Sequence, residues 1–104
     1  MSNKPVAEIV TFRLIPGADP ETFTKAAEAM MPFLRSTNAM TGRILSCDPD
    51  GLWTDHLTWT SLEAATTAAQ EMFERPEAAP FMQMIDPEGM SMRHAPILFQ
   101  PQME

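Results

Sequence analysis

The stretch that decides the fold is MTGRILSCDPDGLWTDHLTWT, residues 40–60. Its two halves are rich in β-branched and aromatic residues and alternate in polarity, which is the period of a β-strand. Asp48-Pro49-Asp50-Gly51 lies between them, with Pro and Gly at positions that turns favour. We therefore predict strands over 40–47 and 52–60, joined as an antiparallel hairpin.

Symmetric closure of this turn predicts the hairpin register. It pairs Arg43 with His56 and Ile44 with Asp55, and likewise Ser46 with Trp53 and Gly42 with Leu57. Successive side chains of a strand point to opposite faces, so this register also assigns each residue to a face of the sheet.

The segments that follow the hairpin read as a helix, a shorter helix and a strand. Thr60 and Glu63 have the spacing of a capping box that opens a helix over 61–75, which Pro76 ends. We expect its buried stripe to contain Leu62, Ala65, Ala69, Met72 and Phe73. A short helix over 77–85 would turn Ala78, Phe81, Met82 and Ile85 inward. Residues 86–89 form a turn, and 90–98 a last strand that Pro96 places at an edge.

The segments before the hairpin read as a strand and a helix. Residues 6–14 alternate in polarity, and Asp19-Pro20-Glu21 has the cap, first-turn proline and acidic residue of a helix start. The helix should run to about residue 36, and Pro32 should kink it or tighten its end.

The order of elements predicts an α+β fold of the ferredoxin-like, split βαβ kind. We expect a four-stranded antiparallel sheet with helices on one face, in which the first and third strands lie side by side and parallel at the centre. The length of 104 residues suits a single domain over 1–104.

Composition narrows the classes of function. A net charge of −7 argues against nucleic acid and anionic membrane surfaces as partners. No run of eighteen apolar residues occurs, and the N-terminus is unlike a signal peptide. The lone Cys47 cannot form an internal disulfide, so we expect the cytoplasm.

The face of the sheet away from the helices predicts a homodimer. It is expected to carry threonines and aliphatic residues rather than the charges of a fully solvated face, and a second copy is the commonest cover. The alternative is a monomer with a solvated, threonine-rich face. The face comprises Ile9, Thr11, Arg13, Arg43, Leu45, Leu52, Thr54, His56 and Thr58, while Val10, Phe12, Leu14, Ile44, Trp53, Leu57 and Trp59 face the helices.

The element order, Pro16-Gly17 after the first strand, and Trp53-x-Asp55-His56-x-x-Trp59-x-Ser61 resemble the dimeric α+β barrel superfamily, in particular its antibiotic-biosynthesis-monooxygenase-like (ABM-like) domains. The resemblance covers about residues 5–98. It implies two sheets packed face to face and a small pocket in each subunit. Activities within the superfamily include cofactor-independent oxygenases, isomerases and haem degradation.

Departures from the superfamily patterns restrict the activity. Haem-degrading members use an Asn on the first strand, a Trp on the helix after the third strand and a His on the next short helix. This sequence has none of the three in those segments, which argues against haem degradation. It also has no Tyr, whereas the quinone-forming oxygenases use Tyr and Trp around a phenolic substrate.

Two polar groups are candidates for chemistry. Glu8 and Asp55 project from the apolar face on adjacent strands, and a carboxylate in such surroundings suits a general base. The alternative is structural: Glu8 at a strand end reaching solvent, and Asp55 bonded to an indole N–H or to backbone. His56 and Arg43 form the second group, as acid/base residue and oxyanion holder. The alternative is that His56 is an interface histidine whose hydrogen bonds a residue of the partner satisfies.

The aromatic residues and methionines allow further interpretations. Trp53 and Trp59 would wall a ligand pocket or simply pack in the core. Met90-x-Met92-x-His94 has soft ligands that suit Cu(I), but methionine is abundant throughout, with ten residues, and fills core gaps.

The sequence therefore predicts a small dimeric protein with an apolar ligand pocket, no metal and no cofactor. A third possibility is a purely structural dimerising module with no ligand. The main alternative is a cofactor-independent monooxygenase or isomerase acting on a small aromatic or polyketide-like substrate. In that case Asp55, His56 and Arg43 would be catalytic, and Glu8, Trp53, Trp59 and His94 would bind substrate.

Overall fold

The computed structural model describes residues 4–101 and consists of one sheet and a set of short helices. In chain order the elements are β1 (Val6–Leu14), α1 (Pro20–Ala29), α2 (Met31–Ser36), β2 (Met40–Cys47), β3 (Trp53–Trp59), α3 (Leu62–Met72), a 3-10 turn (Pro76–Ala78), α4 (Ala79–Gln83) and β4 (Ile85–Pro96). The predicted order is confirmed.

The four strands form an antiparallel sheet in the order β2-β3-β1-β4. This confirms the ferredoxin-like, split βαβ fold. The predicted parallel orientation of the central pair is wrong, because β1 and β3 run antiparallel, with Val6 opposite Trp59 and Phe12 opposite Trp53. The helical crossover makes β1 and β2 parallel, and the hairpin then reverses β3, so that β3 opposes both of its neighbours.

The hairpin register differs from the prediction by one residue. Leu45 lies opposite Asp55, Ile44 opposite His56, and Arg43 opposite Leu57. The reason is the loop: Asp48 pairs with Leu52, and Gly51 adopts a left-handed φ of 86°. Three residues, 49–51, therefore lie inside the Asp48–Leu52 pair, and a three-residue hairpin loop with its left-handed residue last is a common geometry.

A one-residue shift moves every side chain of a strand to the other face. Ile44, predicted to face the helices, is 66% exposed on the open face of the sheet. Arg43 and Leu45, predicted on the open face, instead lie on the side of Leu57 and Asp55. The predicted cross-strand pair of Arg43 and His56 is therefore wrong.

Strand β4 is an edge strand, as Pro96 predicts, but it begins earlier than expected. Arg13 lies opposite Asp86, whereas Thr11 lies opposite Ser91. Residues 87–90 thus form an excursion within β4 that stands opposite one residue of β1. The turn predicted over 86–89 overlaps this excursion but lies within β4, since Asp86 is paired with Arg13; the backbone N–H of Glu88 donates to Asp86 Oδ1 (2.9 Å).

The first predicted helix is divided in two at Met30, and α2 starts with Met31 and Pro32. Proline suits the first turn of a helix because it has no N–H to leave unpaired. Asp19 caps α1 as predicted: the backbone N–H and the hydroxyl of Thr22 both donate to its carboxylate (2.9 Å each). These two bonds hold the pKa of Asp19 below its ordinary value.

Helix α3 is capped by Ser61, whose hydroxyl accepts the Ala64 N–H at 3.1 Å, and not by Thr60 as predicted. Its inward face is alanine-rich, since Ala65 and Ala68 are buried. Leu62 and Phe73, predicted to be inward, are exposed at the two ends of the helix.

An aromatic cluster closes one part of the core between the sheet and the helices. Phe23 packs against Trp53 with ring centroids 4.9 Å apart and against Phe81 at 4.8 Å, and Phe12 contacts all three rings. Such a side chain contributes about 1.5–3 kcal/mol by its burial. Within residues 4–101, no helix is long and apolar enough to cross a membrane.

Candidate functional site

A cavity of about 280 Å³ lies between the sheet and the helices. This volume is close to the lower end of the ligand pockets of proteins, at about 300–1,000 Å³. The cavity is lined by Glu8, Val10 and Phe12 of β1, Arg43 of β2, Asp55, Leu57 and Trp59 of β3, Met30 and Leu34, Ala68, Ala69, Met72 and Phe73, Phe81 and Met82, and Ile85, Pro87, Met90 and Met92.

The wall of the cavity is mainly apolar, and five of the chain's ten methionines contribute to it. Phe73, Met90 and Met92 line the cavity and are also exposed, so they form its mouth between the end of α3 and β4. Unbranched thioether side chains adapt to ligands of different shape. The lining of this cavity thus accounts for part of the chain's high methionine content.

Glu8 is one polar group of the wall and is held at both carboxylate oxygens. The Trp59 indole N–H donates to Oε1 at 3.1 Å, and His94 Nε2 lies 3.1 Å from Oε2. Glu8 is only 6% exposed. It follows that Glu8 does not reach solvent from a strand end, and that an indole is bonded to Glu8 rather than to Asp55.

The second polar group is a buried ion pair between Arg43 and Asp55. Arg43 Nε donates to Oδ1 at 3.0 Å and Nη2 donates to Oδ2 at 2.9 Å, and each side chain is 7% exposed. Nη1 donates to the carbonyl of Ala27 at 2.9 Å, close to the division between α1 and α2. The guanidinium also lies over the Phe81 ring, 5.5 Å from its centroid. The pair therefore joins β2 and β3 to the helices.

The cavity brings together some of the predicted site residues and leaves out others. Glu8, Arg43, Asp55 and Trp59 line it, and His94 lies behind Glu8. Trp53 is packed in the aromatic cluster and does not line the cavity. His56 lies on the opposite face, between Ile9 and Ile44 in the sheet register.

Chemically, the arrangement places two carboxylates at one side of an apolar space. Asp55 is paired with Arg43, whereas Glu8 has no guanidinium partner and is held by the Trp59 indole and His94. Glu8 is therefore the better placed proton acceptor. Among the described residues, no cluster of three or more His, Cys, Asp or Glu side chains is arranged to hold a metal ion.

Several residues of the site could not be found by the sequence reasoning. The Arg43–Asp55 pair was missed because the predicted hairpin register, one residue off, placed Arg43 on the open face. Gly51 after Pro49-Asp50 was a signal for the three-residue loop that sets the observed register. Phe81 and Met82 were predicted inward but not as cavity residues. Nothing in the pattern distinguished Met90 and Met92, at the mouth, from other methionines.

The fold is shared with several solved structures. A mutant form of SnoaB, a cofactor-independent oxygenase from Streptomyces nogalater, aligns with a TM-score of 0.74 over 93% of this chain and 96% of its own, at 13% identity. A protein from Bordetella bronchiseptica, provisionally named an antibiotic biosynthesis monooxygenase, aligns with a TM-score of 0.76 over 92% of this chain and 99% of its own, also at 13% identity.

The chain has the ABM-like fold. The Rv0793 protein of Mycobacterium tuberculosis aligns with a TM-score of 0.65 at 17% identity, over 94% of this chain and 99% of its own. No protein-family model matches the sequence, and no curated protein matches it. At these identities the likeness concerns the fold alone.

A double-mutant cycle tests the buried ion pair. We expect Asp55→Leu and Arg43→Met to cost about 3–5 kcal/mol each, because each leaves a buried charge without a partner. The double variant should lose far less than the sum, since both charges are gone. Urea unfolding of the four proteins measures this, and additive losses would contradict a direct pair.

Proposed function

We propose that the protein binds a small, mainly apolar molecule in the cavity beside Glu8, and that it acts as a homodimer. The observation that supports binding is a carboxylate, nearly buried, that faces an apolar space of ligand size while two donors fix its position. A protein interior is normally packed densely, with few voids larger than a water molecule. A cavity of this volume with one fixed acceptor is therefore typical of a binding site.

Filling the cavity tests this proposal. Ala69 lines the cavity on α3, so Ala69→Phe should occupy the space and weaken binding of 2-methylnaphthalene about tenfold or more, measured by equilibrium dialysis. Ala29 is exposed on α1, so Ala29→Phe is the matched control and should bind as the parent does. Binding that Ala69→Phe leaves unchanged would contradict the cavity as the site.

The open face of the sheet supports the homodimer. The helices contribute the wall of the cavity on the other face, whereas the centre of the open face carries Ile9, Thr11, Ile44, Thr54 and His56, with the charged Arg13, Asp86 and Arg93 beside them. An antiparallel sheet fully exposed on one side would normally carry charged side chains there. Ile44 is 66% exposed in the lone chain, which a second copy would cover. Cys47 as the only cysteine favours the cytoplasm as its location.

Light scattering tests the homodimer. The expected mass is twice the 11.6 kDa of one chain. Ile44→Asp should shift the protein towards the monomer, because it places a charge in the apolar contact. Leu62→Asp, an exposed position on α3, is the matched control and should leave the mass unchanged. A monomeric mass for the parent at micromolar concentration would contradict the proposal.

A second candidate function is cofactor-independent oxygenation of a phenolic, polyketide-like aromatic compound, favoured by the likeness to SnoaB. In such a reaction Glu8 would take the hydroxyl proton, and O₂ would add to the ring carbon opposite the hydroxyl. Loss of water then gives the quinone: one oxygen atom stays, the other leaves with two substrate hydrogens. The substrate supplies all four electrons, so no external reductant is needed. An isomerase would use the same proton acceptor without oxygen.

Oxygen uptake with phenols tests the second candidate. We expect one O₂ consumed for each quinone formed, and a loss of about 100-fold or more in Glu8→Gln, because general-base catalysis contributes that much. Glu88→Gln, in the excursion of β4, is the control with the same change of charge. Uptake no faster than in protein-free buffer would exclude this candidate and leave the binding proposal standing.

A further inference from the structure

The hydrogen-bonding groups of the cavity are unequally divided between donors and acceptors. Four polar side chains line the cavity among the described residues: Glu8, Arg43, Asp55 and Trp59. Two of them are carboxylates, which when ionised accept hydrogen bonds and donate none. The other two carry N–H donors.

Nearly all of the donors are already occupied. Four of the five N–H groups of Arg43 donate to protein: Nε and Nη2 donate to Asp55, and Nη1 donates to the carbonyl of Ala27 and to Met31 Sδ. The single indole N–H of Trp59 is taken by Glu8. In the described part of the chain, therefore, no side-chain nitrogen of the cavity wall is without an acceptor.

The acceptors are not exhausted. An ionised carboxylate has about four lone-pair sites. Glu8 has one contact at each oxygen, from Trp59 and His94, and Asp55 likewise has one at each oxygen, both from Arg43. Both carboxylates keep acceptor capacity, and both line the cavity.

We propose that the ligand is a small apolar molecule that carries its own N–H or O–H donor, with an organic ammonium preferred, and that carboxylates and other anions are excluded. This inference rests on the proposed function and names the class of ligand. An anion would meet two carboxylates at the polar side and a guanidinium whose charge is already balanced by Asp55. An ammonium would instead donate to Glu8 in surroundings of low dielectric constant, where such a bond is strong.

The rest of the wall agrees with a cationic or donor-bearing ligand. Trp59 lines the cavity, and the faces of aromatic rings attract cations. The net charge of −7 raises the local concentration of cations around the protein and lowers that of anions.

Four naphthalenes that differ in one substituent test the inference: 2-methylnaphthalene, 2-naphthylmethanol, 2-naphthylmethylammonium and 2-naphthoate. We expect the ammonium to bind about tenfold or more tightly than the methyl compound, the alcohol to lie between them, and the naphthoate to bind weakest. Equilibrium dialysis against the full chain at low ionic strength measures the four affinities.

Glu8→Gln shows whether Glu8 is the acceptor that favours the ammonium. The amide keeps an oxygen for the Trp59 indole but removes the charge, so the affinity for the ammonium, and with it the advantage of the ammonium over the methyl compound, should fall about tenfold. Glu88→Gln is the control and should change neither. An advantage that persists in Glu8→Gln would overturn the assignment to Glu8.

Met72→Lys provides a second variant that does not depend on Glu8. It adds a donor to the cavity wall, so the naphthoate should gain affinity and the ammonium should lose it; Leu62→Lys, exposed on the same helix, is the control. If none of the four compounds binds, the proposed function fails. If they bind but the naphthoate binds as tightly as the ammonium, this inference alone fails.

Discussion

The left-handed conformation of Gly51 is the constraint on which the site depends. It closes a three-residue loop, 49–51, inside the Asp48–Leu52 pair, and the length of this loop fixes which residues of β2 and β3 lie opposite each other. Arg43 is thereby turned under the helices beside Asp55, and Ile44 is turned out. With any register shifted by one residue, an arginine would lie on the open face and Asp55 would be buried without a counter-ion, which is strongly unfavourable.

The elements of the fold could be predicted from sequence because each depends on local chemistry. Alternation of polarity marked the strands, and Pro and Gly marked their ends. The errors occurred where two local patterns competed. Thr60 and Ser61 are both good caps, and only the structure shows that Ser61 bonds the Ala64 N–H. The direction of β3 beside β1 was an error of topological reasoning, because a crossover followed by a hairpin leaves these strands antiparallel.

The candidate site could be predicted only in part. Glu8, Asp55 and Trp59 were recognisable because charged or polar groups interrupt an apolar strand face, and such interruptions are costly unless they are compensated. Their partners were not recognisable, since they depend on contacts between distant segments. Glu8 and His94 are 86 residues apart, and Trp59 is 51 residues from Glu8. Sequence spacing carries no information on such pairs, whereas strand register does.

The excursion of residues 87–90 has a consequence for how such a protein diversifies. It contributes Pro87 and Met90 to the entrance of the cavity and stands opposite a single residue of β1, with regular pairing on both sides. Its length can therefore change without moving Asp86 or Ser91 out of register. Insertions or deletions here would reshape the entrance for a different ligand during evolution, while the wall of the cavity keeps its structure.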